Sequence, residues 1–215
     1  MKNLIVKKLS IAFLFIACAF IIYNCDDAGV IETKTDYCIS GRVSGWSYGS
    51  KTLHAYLRNN SGNSFSIASC PVNSNGDFNL CLPTSVPDSA LFTSDSIFYS
   101  GCSGGNVSFN PPDVKGTEIL SFKITSGETP VGYIIYNNYD TLFEGAFSIM
   151  YIWVNKDVSV SGSKYCGSDT LIFIGSAVSG WNLIVKTYIS LALPGYTILY
   201  NNVQPSSAMW KYKSY

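Results

Sequence analysis

The chain has 215 residues, and its 14 basic residues balance 14 acidic ones. Charged residues make up only 13% of it, about half the usual share. The sequence contains no cluster of lysine and arginine, which argues against a nucleic-acid partner because phosphate binding needs a basic footprint. Its single histidine, His54, argues against a histidine-based metal cluster. We therefore expect no metal and no cofactor.

The first 24 residues have the form of an export signal. Lys2, Lys7 and Lys8 precede an apolar run from Ile11 to Tyr23. This run is shorter than the roughly 20 apolar residues that a helix needs to cross a bilayer, which favours a secretory signal. Removing the three lysines leaves 11 basic residues against 14 acidic ones, so the exported part would carry a net charge of −3.

A cysteine, Cys25, follows the apolar run and precedes Asp26 and Asp27. This arrangement resembles the lipobox of bacterial lipoproteins, in which the cysteine is acylated and becomes the first mature residue. The resemblance implies that residues 25–35 tether the mature protein to a membrane. Processing near Cys18 would halve the apolar run, so we favour Cys25; an ordinary secretory signal and an uncleaved anchor remain alternatives. In each case we expect the mature domain outside the cytoplasm, in the periplasm or at the cell surface.

From Tyr37 onward, apolar and polar residues alternate with a period of two, which is typical of half-buried strands. We predict an all-β fold of one or two antiparallel β-sandwich domains after the signal segment. Ser126–Pro130 is rich in turn-forming residues and is the predicted joint between domains at 36–126 and 130–215.

The clearest local signal is Asn75-Gly76, which lies between two alternating runs and predicts a β-hairpin with a two-residue turn. That register places Cys70 opposite Cys81. Because we expect an oxidising compartment, we predict a disulfide between them.

The remaining cysteines downstream of the signal segment are Cys38, Cys102 and Cys166. None of the cysteines has the C-x-x-C spacing of zinc sites or thioredoxin-like motifs. We predict that Cys38 pairs with Cys102 and that Cys166 is left over.

Two parts of the sequence resemble known bacterial modules. Residues 39–43 (ISGRV) and 75–83 (NGDFNLCLP) resemble the carboxypeptidase-regulatory-like, transthyretin-related β-sandwich, which has a V-x-G-x-V strand and an N-G-x-F-x-L-x-L-P hairpin. The resemblance implies a small non-catalytic sandwich. Residues 156–162, with Gly180-Trp181-Asn182, resemble a C-terminal β module of uncharacterised bacterial lipoproteins, which implies no activity.

One motif of hydrolases occurs in the chain. Gly45–Gly49 fits the G-x-S-x-G nucleophile elbow, with Ser47 as the serine. A triad would have to use His54, only seven residues further on, and no acidic residue lies between them. We expect a chance match and no catalytic residue.

Aromatic residues are abundant in the second half of the chain, where they would either fill a sandwich core or line a glycan-stacking face. Of these two interpretations we favour the core. If a glycan face exists, Trp153, Trp181 and Trp210 are its candidate contacts. The full set is Tyr133, Tyr136, Tyr139, Trp153, Trp181, Tyr188, Tyr196, Tyr200 and Trp210.

Taken with the anchor, these patterns predict an exported, lipid-anchored, non-catalytic protein that acts by binding or by structural presence, with a glycan or a surface protein as partner. One alternative is a carbohydrate-binding module that uses the aromatic residues of the second domain. The other alternative is a hydrolase with an unrecognised carboxylate or serine site.

Overall fold

A computed structural model describes residues 37–97, 102, 104–203, 205 and 207–215. The predicted signal segment, the tether and the lipidation site Cys25 lie outside the described residues. Within the described residues, no helix has the length and apolar character needed to cross a membrane.

The described residues contain 15 strands, a 3-10 turn at Asp88–Ala90 and one α-helical turn at Ser94–Ile97. The all-β prediction is confirmed. In chain order the strands are β1 (Tyr37–Ser44), β2 (Lys51–Arg58), β3 (Ser64–Val72), β4 (Asp77–Leu82), β5 (Phe92–Thr93), β6 (Gly105–Asn110), β7 (Lys115–Glu118), β8 (Ser121–Ser126), β9 (Thr129–Asn137), β10 (Phe147–Val154), β11 (Val158–Cys166), β12 (Asp169–Ala177), β13 (Gly180–Ser190), β14 (Thr197–Asn201) and β15 (Met209–Ser214).

Seven of these strands close into a barrel, whereas the sequence predicted the facing sheets of a sandwich. Their order is β1, β4, β3, β2, β8, β9 and β15, and β15 pairs with both β9 and β1. The β1–β15 pairing is parallel, with Val43 opposite Trp210. The C-terminal strand thus covers two strand edges that would otherwise be open.

Trp210 fills the barrel near the point of closure. Its side chain is 4% exposed and stacks on Tyr136, with ring centroids 4.8 Å apart. Phe78 and Phe122 contact it edge to face. Gly41 on β1 lies against the indole, where a Cβ atom would overlap the ring. The Trp210 ring of β15 therefore packs against β1 at a position where only glycine leaves enough room.

Six further strands continue from the barrel in the order β10, β13, β14, β12, β11 and β6. β9 and β10 pair at one position, Asn137 with Ser148, and β7 pairs with the far half of β10. A disulfide between Cys102 and Cys166 links the segment before β6 to the end of β11.

The barrel and the second sheet have separate apolar clusters, and β10 contributes to both. Tyr151 and Trp153 belong to the barrel cluster, while Ile152 and Val154 belong to the cluster of the second sheet. The predicted joint at Ser126–Pro130 lies in the β8–β9 hairpin, where Ser126 pairs with Thr129. The division into domains at 36–126 and 130–215 stays a prediction.

The predicted hairpin exists, but its loop is one residue longer than predicted. The Gly76 N–H donates to the carbonyl of Asn73 at 3.0 Å, and the Asn73 N–H donates to the carbonyl of Asp77 at 3.0 Å. Gly76 has a φ of +84°, as in a turn followed by a glycine bulge. The Asn73 side-chain carbonyl also accepts from the N–H groups of Asn75 and Asp77, which stabilises this longer loop.

The longer loop overturns the predicted disulfide between Cys70 and Cys81. Val72 lies opposite Phe78, a shift of one residue that turns Cys70 into the core, where it is free and 9% exposed. Cys81 instead faces Cys38 across the β1–β4 pair, and these two form the disulfide.

The second predicted pairing, Cys38 with Cys102, is wrong as well. Cys102 bonds to Cys166, which the sequence analysis had left over. No sequence pattern identified this pair, because its two members come together only when β6 lies beside β11.

Candidate ligand-binding cleft

The three tryptophans proposed as glycan contacts are buried. Trp153, Trp181 and Trp210 are 9%, 6% and 4% exposed. Trp153 and Trp181 are paired across β10 and β13, and the Trp181 indole N–H donates to the carbonyl of Pro83 at 2.8 Å. Their burial agrees with the interpretation that the sequence analysis favoured, in which these rings fill a core, and it leaves them too covered to form the alternative glycan-contact face.

Ser47 and His54 lie on different parts of the barrel surface. Ser47 is exposed in the segment after β1, whereas His54 lies on the outer face of β2. The His54 ring contacts Thr125 Oγ1 through Nε2 at 3.2 Å and Ser66 Oγ through Nδ1 at 3.4 Å. Both ring nitrogens therefore have partners on the neighbouring strands. No group of three or more potential metal-ligating side chains occurs among the described residues.

A cleft opens where the second sheet departs from the barrel. β9 and β10 diverge beyond their single pair at Asn137 and Ser148, and the chain from Glu118 to Phe122 crosses between them. The space has a volume of about 520 Å³, within the range of small-molecule sites. We call it the junction cleft. Its lining residues are Glu118, Ile119, Leu120, Ser121, Phe122, Tyr133, Ile134, Ile135, Tyr136, Ser148, Ile149, Met150, Tyr151 and Tyr215.

Tyrosine rings form much of the cleft wall. Tyr133 on β9 lies beside the C-terminal Tyr215, with ring centroids 6.0 Å apart. Tyr215 is 68% exposed, while Tyr151 at the floor is 5% exposed. Burial raises the pKa of Tyr151, so its hydroxyl is protonated at neutral pH. The cleft is thus lined by the exposed Tyr215 ring, the half-buried Tyr133 ring and the buried Tyr151 ring.

One carboxylate lies in the lining. Glu118 ends β7 opposite Ile152 of β10 and is half-buried. Burial raises the pKa of its carboxyl, while the nearby charges of Arg58 and Lys186 partly oppose this effect. A carboxyl group in such a setting forms strong hydrogen bonds because little water competes for it.

Ser121, at the start of β8, adds a second polar group. Its hydroxyl is buried and has no hydrogen-bond partner among the described residues. A buried hydroxyl without a partner is energetically unfavourable, and a ligand or a water in the cleft would satisfy it.

A second depression of about 480 Å³ lies at the other end of β10 and includes Trp153 and Asn155. Its main charged pair, Lys156 and Asp113, is joined by an ion pair of 2.7 Å. Among the described residues that line it, the other charged ones are Asp88 and Lys115, and the one aromatic ring is that of the buried Trp153. The junction cleft, which is lined by several tyrosine rings, is therefore the better candidate site.

The sequence analysis named Tyr133 and Tyr136 among its aromatic candidates but missed Glu118, Ser121 and Tyr215. Their only local signal is the polar face of an alternating strand, which most surface residues share. Comparison with protein-family models, curated proteins and solved structures finds no match.

Proposed function

We propose that this chain is an exported, lipid-anchored, non-catalytic protein that binds a saccharide-like ligand in the junction cleft. The observation that carries the proposal is the convergence of the Tyr133 and Tyr215 rings with the Glu118 carboxyl and the unpartnered Ser121 hydroxyl. Sugars present apolar ring faces and a rim of hydroxyl groups, so stacking on tyrosine and hydrogen bonding to these polar groups would be complementary.

The two disulfides support export. Cys38–Cys81 and Cys102–Cys166 would be stable in an oxidising compartment and rare in a reducing cytosol. Together with the apolar N-terminal run and Cys25, they favour a protein of the cell envelope. The resemblance to carboxypeptidase-regulatory-like domains is compatible with a non-catalytic role, and it stays a proposal.

The anchor is tested by replacing Cys25 with alanine. Because acylation needs the thiol, we expect Cys25→Ala to lose the lipid and to leave the membrane fraction. Metabolic labelling with a fatty-acid analogue and fractionation measure both effects. A variant that is still found in the membrane and extracted only by detergent would show that the anchor is not a lipid on Cys25.

The cleft is tested by screening the soluble domain against a glycan panel and titrating the ligands found. We expect Tyr133→Ala to weaken binding about five- to tenfold, the loss expected for one stacking ring. Tyr165→Ala is the matched control, since Tyr165 on β11 is an exposed tyrosine that does not line the cleft. Equal losses in both variants, or binding unaffected by Tyr133→Ala, would place the ligand elsewhere.

The hydrolase alternative finds less support in the cleft lining. Glycoside hydrolysis commonly uses two carboxyl groups flanking the bond that breaks, and Glu118 is the one carboxylate among the described residues that line the cleft. Incubating the protein with each glycan that it binds, followed by product analysis, tests this. Cleavage that is lost in Glu118→Gln would replace the binding proposal with an enzymatic one.

A further inference from the structure

Charge is unevenly distributed over the folded domain. Residues 37–215 contain 10 lysine and arginine residues and 10 aspartate and glutamate residues, so this part of the chain has no net charge. Five of the ten cations nevertheless lie next to the junction cleft. They are Arg58, Lys123, Lys186, Lys211 and Lys213.

The strand register places these cations beside the cleft lining. Tyr133 lies between Lys123 of β8 and Lys213 of β15, which are its partners on the two flanking strands. Cross-strand partners project from the same face of a sheet, so both lysines share the outer face with the Tyr133 ring.

Two more lysines occupy equivalent positions around the opening. Lys211 of β15 lies opposite Ile135 of β9, and Lys186 of β13 lies opposite Ser148 of β10. Arg58, at the end of β2, is close enough to Glu118 to lower the pKa of its carboxyl. Four strands thus contribute one or two cations each around a single opening.

Only part of this positive charge is neutralised by the protein. Lys211 and Lys213 share one carboxylate, Asp140, at 3.2 and 3.7 Å. Lys123 lies over the ring of Tyr56, with Nζ 4.4 Å from its centroid, and Lys186 lies 5.2 Å from that of Tyr188.

Within the described residues, Arg58, Lys123 and Lys186 form no ion pair. Counting Glu118 and Asp140 against the five cations leaves a surplus of three positive charges at the cleft. A cleft with an uncompensated charge attracts ligands of the opposite sign.

We propose that the ligand of the junction cleft is an anionic saccharide, bearing carboxylate or sulfate groups that the surrounding lysines pair with. This inference rests on the proposed function of the cleft and names its substrate class. The Tyr133 ring would stack on the sugar while Lys123 and Lys213, one on each side, would contact its acidic substituents.

A saccharide fits this arrangement better than a nucleic acid. Nucleic acids are bound along an extended basic track that follows a phosphate backbone. Here the cations surround one opening of about 520 Å³, and the rest of the domain has an excess of acidic residues.

The test uses pairs of oligosaccharides that differ only in charge, namely galacturonate oligomers with their methyl esters, and sulfated oligosaccharides with their desulfated forms. We expect an acidic member to bind at least tenfold more tightly than its neutral partner, and its binding to weaken with added salt. We expect Lys123→Gln and Lys186→Gln to weaken binding roughly fivefold each, the loss expected for one partly screened charge.

Lys115→Gln is the matched control, since Lys115 lies at the surface and, like Lys123 and Lys186, has no ion pair among the described residues. The Lys115 carbonyl accepts a hydrogen bond from the N–H of Asn155. Asn155 is seven residues after Ser148 of the cleft lining, a distance of roughly 23 Å in an extended strand, so Lys115 lies far from the cleft. We expect this variant to bind like the unmodified protein.

The possible outcomes separate the two proposals. Equal binding of charged and neutral members would overturn the anionic preference and leave the saccharide-binding proposal standing. If no acidic or neutral saccharide binds, both proposals fail. A single-stranded oligonucleotide that binds as tightly as the best acidic saccharide, with the same loss in Lys123→Gln, would show that the site recognises polyanions in general and would overturn the saccharide assignment.

Discussion

Val72 lies opposite Phe78 across the β3–β4 hairpin, and this pairing determines that Cys38 and Cys81 form a disulfide while Cys70 is free. It turns Cys70 towards the barrel core and leaves Cys81 on the outer face, opposite Cys38. A loop shorter by one residue would have placed Cys70 on the outer face, opposite Cys81.

Peptide mapping without reduction should therefore recover Cys38 linked to Cys81, and Cys102 linked to Cys166. We expect Cys70 to resist thiol reagents in the native protein and to react after denaturation, because burial shields the thiol and raises its pKa. A Cys70–Cys81 peptide would show that the loop has two residues after all.

The Cys38–Cys81 disulfide spans 43 residues and should contribute substantially to stability. The chain-entropy model gives about 4 kcal/mol for a loop of this length. We expect the double variant Cys38→Ala/Cys81→Ala to lose about that much free energy of unfolding, as measured by urea denaturation. Cys70→Ala should lose only about 1 kcal/mol, because it removes a single side-chain atom from the core. A loss in Cys70→Ala equal to that of the double variant would contradict the assignment.

Gly62 and Gly76 form a natural pair of variants because both have a φ of +84°. A Cβ atom at position 62 would meet open space, whereas one at position 76 would overlap Trp46. Gly62→Ala should cost about 1 kcal/mol from backbone strain alone. Gly76→Ala should cost at least about 1 kcal/mol more because the indole must move. Equal losses in chemical denaturation would show that Trp46 does not pack on this turn.

Glu118 should make stability depend on pH. Burial raises the pKa of its carboxyl in the folded protein, above the value of about 4.3 for an unfolded glutamate. The folded state therefore binds the proton of the Glu118 carboxyl more tightly than the unfolded state does. The stability that this difference contributes is fully present below about pH 4.3 and is lost as the pH rises through the raised pKa. We expect Glu118→Gln to raise the melting temperature at pH 7 and to match the unmodified protein near pH 4.

Glu128→Gln is the control for that measurement, since Glu128 is exposed in the β8–β9 turn. It should leave the melting temperature unchanged at each pH. If Glu118→Gln lowered the melting temperature at pH 7, the carboxylate would be stabilising as an ion, through Arg58 or Lys186.

The same carboxyl group should influence the binding of an anionic saccharide. It faces Arg58 from β2, Lys186 from β13 and Tyr200 from β14. When ionised, it reduces the positive charge of the cleft, so affinity should rise as the pH falls and Glu118 becomes protonated. Glu118→Gln should bind more tightly than the unmodified protein at pH 7 and show a weaker pH dependence in titration calorimetry. Weaker binding in this variant at pH 7 would mean that the ligand needs the charged carboxylate.

Local patterns in the sequence were sufficient to predict the all-β character of the fold. The alternation of Leu53, Ala55 and Leu57 with polar residues predicts a half-buried strand, because side chains on a strand point to opposite faces in turn. Asn75-Gly76 likewise predicted a hairpin at the right place. Its loop length was missed because the decisive contact is the Asn73 side chain, which accepts two backbone N–H groups.

Local patterns were not sufficient to predict which aromatic rings are accessible. The sequence left a glycan face open as an alternative for Trp153 and Trp181, whereas in the fold both rings are buried and their indole N–H groups donate to the carbonyls of Thr84 and Pro83. Only the packing of one element on another decides such questions.

The sequence by itself determined the all-β character of this protein, through the period of two, and the signals on which the export prediction rests. The tertiary structure alone decided the barrel closure, the disulfide pairs and the junction cleft. Glu118 and Tyr215 are nearly 100 residues apart, and the cations around them come from four strands. Each of these features depends on strand order and register across long stretches of chain, which alternation within one strand does not specify.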